Sequence, residues 1–273
     1  MQTERASWKL NVVLVAATLL MAATGAGANT KTLVPGETGR VTGIVAGDTL
    51  FLDSGLKVRL SAIQAPGLSL GHARVKKQPL ADKSQTALEK LALNRTVRLY
   101  YGGLRRDRYN RALAQVYLLD AKGHRNIWLQ EEIVRQGWAQ VHTWPDTWQD
   151  TDQLYKAEQK ARTAKRGIWS HDLYAVRSPD PNMLAQDMDS FQIVEGVVVS
   201  TADVRGRLYL NFGSDYRTDF TVVIDKRDRN RFEKNGDSLL SLEGASVRVR
   251  GWIEMNNGPA IWLDHPERLE ILN

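Results

Sequence analysis

The 273-residue chain contains no cysteine. That excludes disulfide staples, thiolate nucleophiles and cysteine metal ligands. Histidine is scarce as well, at five residues, so any metal centre must use oxygen donors or one of those imidazoles. Beyond residue 28 there is no apolar run long enough to span a bilayer. With 42% hydrophobic and 25% charged residues, the chain has the composition of a globular protein and the length for two small cores.

The chain begins "MQTERASWKLNVVLVAATLLMAATGAGA", in which Arg5 and Lys9 precede an apolar run that closes on Ala26-Gly27-Ala28. That order predicts a secretory signal over residues 1–28, cleaved before Asn29. An uncleaved membrane anchor is the other reading of the same run. The mature protein is therefore expected to be exported, periplasmic or secreted, with no stable membrane insertion after cleavage. Its charge is unevenly spread. Residues 29–177 carry 24 Lys and Arg against 14 Asp and Glu, whereas residues 178–273 carry 11 against 16. A basic surface gains affinity for polyanions by releasing their counterions, which makes the first part the candidate for DNA or RNA; a solubilising surface is the plain alternative. The acidic second part suits a protein partner, or packing against the first.

Strand alternation runs through "GRVTGIV", "DTLFLD" and "LKVRLSAI", the last two joined by a hairpin turn at Asp53-Ser54-Gly55. Helices are predicted after Pro79, over "LQEEIVRQG" with Gly137 as its stop, and over "QDTDQLYKAEQKARTAKRG", interleaved with the strands "RTVRLYY" and "RALAQVYLLD". This is an α+β arrangement built on a small barrel over residues 29–176. The polar, aperiodic stretch 177–189 reads as a linker. Residues 190–273 resume as three strands, a helical patch near Asn230–Leu242 and two more strands, the order of a second, smaller OB-like barrel, which other small barrels also fit. Trp138 and Trp169, with Tyr209, Phe212, Phe220 and Trp252 in the second barrel, are expected in the cores.

"GDT" at Gly47–Thr49, "VRL" at Val58–Leu60, the turn at Ala65-Pro66, "DRYNRALAQVY" from Asp107, "VRQGWAQV" and "RGIWS" stand in one order along the chain. In this ordered set the first domain resembles the thermonuclease family, typified by staphylococcal nuclease, over roughly Gly39–Ser170. The resemblance implies an OB-fold that hydrolyses phosphodiesters of DNA and RNA with calcium. It places Asp48 at the first calcium carboxylate, and Arg59 and Arg111 at the two catalytic arginines that stabilise charge on the phosphate. The second calcium carboxylate falls on Gln64, the next ligand on Ala65, and the water-activating glutamate on Gly67. A calcium site resting on Asp48 and a neutral amide is expected to be weak, and a glycine supplies no general base, a loss of about 10²- to 10⁴-fold.

Around these positions Arg74, Lys76, Lys77, Arg105, Arg106 and Arg108 form a basic collar suited to a phosphate backbone. Tyr109, Trp144 and Trp148 offer stacking faces. His72 is a replacement candidate for the missing base. The competing readings are that Asp48 caps a turn, that Arg59 and Arg111 merely pair with acidic neighbours such as Asp107, and that Asp53 is a turn residue. Three functions follow for test: a nuclease with a degraded site, a non-catalytic nucleic-acid-binding relative, or a protein-interaction scaffold.

Overall fold

The computed structural model describes residues 33–68, 77–233 and 239–272. The predicted signal segment lies outside these described residues, as do His72, Arg74 and Lys76. In the first barrel, β1 (Val34–Ala46) pairs with β2 (Thr49–Leu52), which turns at Asp53-Ser54-Gly55 into β3 (Lys57–Leu60). A short β4 (Ile63–Gln64) follows. Then come α1 (Ala81–Ala92), β5 (Thr96–Tyr101), β6 (Ala112–Leu119), β7 (Arg125–Trp128), α2 (Leu129–Arg135), β8 (Gln140–Val141) and α3 (Thr151–Thr163). The sheet order is β3-β2-β1-β5-β6-β7, and a parallel β3–β6 pairing closes it into a ring. Parallel pairing of the third strand with the last one of an otherwise antiparallel ring is OB topology.

Alternation decides what faces inward. In β6, Ala112, Ala114, Val116 and Leu118 are buried and join Val41, Leu50, Val58 and Leu99 in the core. Gly137 ends α2 in the left-handed region (φ +80°), where a Cβ would also lie 2.3 Å from the Arg166 carbonyl.

The segment 177–189 carries α4 (Pro181–Leu184), capped by the Asp180 carboxylate, which accepts from the amides of Asn182 and Met183. The second barrel is β9 (Phe191–Val197), β10 (Ser200–Val204), β11 (Arg207–Asn211), β12 (Thr221–Ile224), α5 (Arg229–Phe232), β13 (Ser246–Asn256), β14 (Gly258–Leu263) and β15 (Leu269–Leu272). β9 and β10 act as one bent first strand: β9 pairs with β13 and β10 with β11, while β12 pairs with β14 in parallel. The ring therefore repeats the order of the first. Phe212 and Phe220 are buried in its core, but Tyr209 is only half-buried and Trp252 is exposed, so those two core expectations are corrected. The face of β13 that carries Trp252 looks out of the barrel.

The two barrels are held face to face. Arg250 of β13 and Glu158 of α3 are both completely buried, with Nη2 3.0 Å from Glu158 Oε2 and 2.6 Å from Glu270 Oε1, and Nη1 donates to the Val141 carbonyl. Glu158 in turn accepts from the Val141 amide at 2.7 Å, and the Arg250 guanidinium lies 4.4 Å from the Tyr155 ring. Burial works against the guanidinium charge, but Glu158, Tyr155 and Glu270 hold it protonated more firmly than in a free arginine. Beside it, Thr143 Oγ1 meets His265 Nε2 at 2.7 Å, and Ala161, Ile168, Trp169 and Ile193 form an apolar cluster shared by both halves.

Removing one partner of a buried pair strands the other charge. Arg250→Ala is expected to lower unfolding free energy by about 3–5 kcal/mol in urea titrations, whereas Arg250→Met with Glu158→Met should lose clearly less than the single change. Additive losses would refute the coupling.

Candidate nucleic-acid interface

Gly47 places Asp48 against α1: a Cβ there would lie 1.8 Å from Ser84 Oγ, so only glycine lets the β1–β2 turn come this close. The β2–β3 register sets Thr49 opposite Arg59, and the Leu60 amide donates to the Asp48 carbonyl. Asp48 and Arg59 are thereby neighbours. Their side chains form an ion pair; Asp48 Oδ2 also accepts from the Ala65 amide at 2.7 Å, and Oδ1 accepts from Thr49 Oγ1 at 2.9 Å. Asp48 is 6% exposed, so its carboxylate is closed off by these partners.

The parallel β3–β6 pairing sets Arg59 beside Leu113, so Arg111, two residues earlier, stands at the start of β6, the strand next to Arg59. In the loop before β6, Asp107 accepts from the amides of Tyr109 and Arg111, and Arg111 donates through Nε to Asp107 Oδ2 at 2.6 Å. Burial opposes ionisation of Asp107, but the bonds from Arg111 and Tyr109 outweigh it and hold the carboxyl below its ordinary range. The Tyr109 ring is 64% exposed, with the guanidinium groups of Arg108 and Arg111 4.8 and 5.3 Å from its centre. Arg105 sits 4.7 Å over Tyr101, and Arg106 pairs with Glu37 at 3.7 Å. Lys77 pairs with Asp82 in a separate exposed contact.

Asp48 with Arg59 and Asp107 with Arg111 are thus two carboxylate–guanidinium pairs whose arginines stand on β3 and at the start of the neighbouring β6, and Arg105, Arg108 and Tyr109 lie on the hairpin that leads into β6. Gln64 is half-buried in β4 opposite Gln140. The Gly67 amide donates to Gln78 Oε1 at 2.6 Å; a Cβ on Gly67 would meet that oxygen at 3.5 Å, an ordinary contact, and its φ is not in the left-handed region. Trp144 is exposed, Trp148 half-buried, and Asp53 is exposed in its turn.

These residues do not fit a calcium ion held in the thermonuclease manner. Calcium takes about six to eight oxygens, several of them from carboxylates. Here both oxygens of the one carboxylate are bonded, a guanidinium stands against it, Gln64 is neutral, and Ala65 and Gly67 bring no side-chain oxygen. Among the described residues no group of three His, Asp or Glu side chains is placed to hold a metal.

Sequence reasoning missed His142. It is 5% exposed, its ring 4.3 Å from Phe191 and 5.1 Å from Trp144, and neither ring nitrogen has a hydrogen-bond partner among the described residues. Burial, followed by the positive fields of Arg268, Arg59 and Arg250 and by His265, holds it well below the usual imidazole range. Its place directly after the "GWAQV" strand was the available signal.

The profile described as Staphylococcal nuclease homologue matches residues 57–171. An uncharacterized endonuclease of Escherichia coli is 33% identical over 135 residues, 48% of this chain and 76% of that protein. The thermonuclease of Staphylococcus hyicus is 25% identical over 138 residues, covering 50% and 77%. A protein of Pyrenophora tritici-repentis named a probable endonuclease is 35% identical over 118 residues, 42% of this chain and 41% of its own length, so the chain spans less than half of that relative.

A neutral His142 makes folding pH-dependent with a definite sign. The unfolded imidazole takes a proton near pH ~6.5 and the folded one resists it, so this stabilisation is complete above pH ~6.5 and is lost progressively as pH falls below it. His142→Phe should flatten the stability profile between pH ~5 and ~7 relative to the parent; an unchanged slope in urea titrations would contradict the assignment.

Proposed function

The chain belongs to the staphylococcal nuclease homologue family, and on that footing we propose that it binds nucleic acid through the arginine-rich end of its first barrel and hydrolyses phosphodiesters weakly or not at all. The observation that carries the binding half is the exposed Tyr109 ring between Arg108 and Arg111: a stacking face flanked by two cations suits a base and its flanking phosphates. Relatives named as endonucleases and a thermonuclease support the substrate class.

The weak chemistry follows from what surrounds the phosphate position. Hydrolysis in the family manner needs a water-activating carboxylate and a cation held by carboxylates. Gly67 cannot supply the first, and Asp48 is already committed to Arg59, Ala65 and Thr49. Arg59 and Arg111 can still donate to a phosphate oxygen if they exchange a carboxylate partner for it, an exchange of one charge-assisted bond for another. Export, into the periplasm or the medium, is the proposal for location and rests on the order of charged, apolar and small residues in 1–28. Among the described residues no helix is long and apolar enough to cross a membrane.

The experiment reads binding and cleavage of labelled single-stranded DNA in the same samples, with calcium or with EDTA. The parent should bind with affinity that falls steeply with salt and should show little calcium-dependent cleavage. Arg108→Ala should flatten the log–log salt slope by about 0.7, one phosphate contact on a single strand. Gln64→Asp with Gly67→Glu, which the Gly67 backbone accommodates, should gain at least about 10²-fold in calcium-dependent cleavage, more than the two single changes combined. Efficient calcium-dependent cleavage by the parent, unaffected by the rebuilt pair, would refute a degraded site.

A further inference from the structure

A cleft of about 210 Å³ lies between the two barrels, and its lining is unlike the basic surface beside it. From the first barrel come Gln64 and Gln140, direct partners in the β4–β8 ladder; from the second come Phe191 and Trp252, direct partners in the β9–β13 ladder. The two rings meet edge to face at 6.5 Å, and Trp252 is 47% exposed. Gln78 and Gln192 also reach the cleft, but the Gln78 oxygen already accepts from the Gly67 amide and the Gln192 nitrogen donates to Asp187 and Ser190. The side-chain amides of Gln64 and Gln140 bond to no described residue. No lysine or arginine is among the described lining residues.

We propose that this cleft is a nucleobase subsite, in which Trp252 takes the face of one base and the amides of Gln64 and Gln140 bond to its edge. The inference rests on the nucleic-acid reading above and deepens it. A lining without cations does not select a phosphate. The volume falls below the roughly 300 Å³ at which drug-sized sites begin, which suits a single ring system and not a whole nucleotide. Each glutamine offers donors and an acceptor side by side, matching the mixed donor and acceptor edge of a base, and an indole face stacks on any base. The location is also consistent. Gln64 leads directly into Ala65, whose amide holds Asp48, the partner of Arg59, so a base in the cleft lies next to a backbone phosphate at the arginine end. On this assignment Gln64, at the position of the family's second calcium carboxylate, reads a base in this chain, and the second barrel completes the binding surface of the first.

The test uses the full mature chain with three probes: a thymidine hexamer, the same hexamer with abasic sites throughout, and the free nucleosides adenosine and cytidine with ribose as control. Nucleosides, but not ribose, should shift the indole NMR signal of Trp252, and the base-bearing hexamer should bind about tenfold more tightly than the abasic one. Trp252→Ala should abolish most of that difference while leaving abasic binding and its salt dependence unchanged. Gln64→Ala with Gln140→Ala should do the same, and serves as the independent variant should the tryptophan change disturb folding. Equal affinity for the two hexamers in the parent, a Trp252 signal that responds equally to ribose, or variants that weaken both hexamers alike would overturn the subsite. Hexamer binding without a nucleoside response overturns the subsite and leaves the phosphate reading standing. A protein that binds neither hexamer overturns the nucleic-acid reading and the subsite with it.

Discussion

Arg250 is the fixed point of the molecule. A guanidinium with no exposed surface is tolerated only because Glu158, Glu270 and the Val141 carbonyl surround it, and those partners come from α3, β15 and β8. Burying such a cluster costs desolvation that the ion pairs roughly offset, so its contribution is less a gain in stability than a demand on geometry. If the barrels slid by one residue, the charges would lose their partners. This registers β13 against α3 and β8, and so brings Phe191 and Trp252 to the side of Gln64 and Gln140.

The exposed side of the first barrel shows a different use of charge. On β3 and at the start of β6, Asp48 with Arg59 and Asp107 with Arg111 are carboxylate–guanidinium pairs with limited exposure. A pair of that kind stores a cation near neutrality until a polyanion arrives. A hydrolytic centre needs the opposite arrangement, with carboxylate oxygens open toward a cation. Here both oxygens of the Asp48 carboxylate are taken by Arg59, Thr49 and Ala65, so they are closed toward a cation.

Much of this was legible in the sequence. The alternation around the Asp53-Ser54-Gly55 turn, the glycine stop at Gly137 and the order of strands gave both barrels, because each depends on local pattern and turn chemistry. The basic hairpin around Tyr109 was legible for the same reason. Glu158 left a signal that was not used: it sits four residues after Leu154 and three before Ala161, on the apolar stripe of α3, where a charge requires a buried partner. Arg250 was not legible, because "SVRVRGW" alternates like a strand with one wet face, and that face is dry only where another barrel covers it. The surroundings of Trp252 depend likewise on segments distant in sequence, and the closure of Asp48 is completed by the Ala65 amide beyond the hairpin, which local periodicity does not encode.

The uneven charge of the two halves takes on a further meaning once they are locked together. On a flexible tether a basic and an acidic module would tumble independently; fixed through Arg250, they make one body with a permanent dipole moment. In the field of a polyanion such a body experiences a torque before contact, turning its arginine end forward and its acidic barrel away. Screening confines that torque to about a Debye length, roughly 8 Å at physiological ionic strength. On the proposed reading, a protein within that distance arrives already oriented, and the encounter spends fewer collisions on unproductive faces.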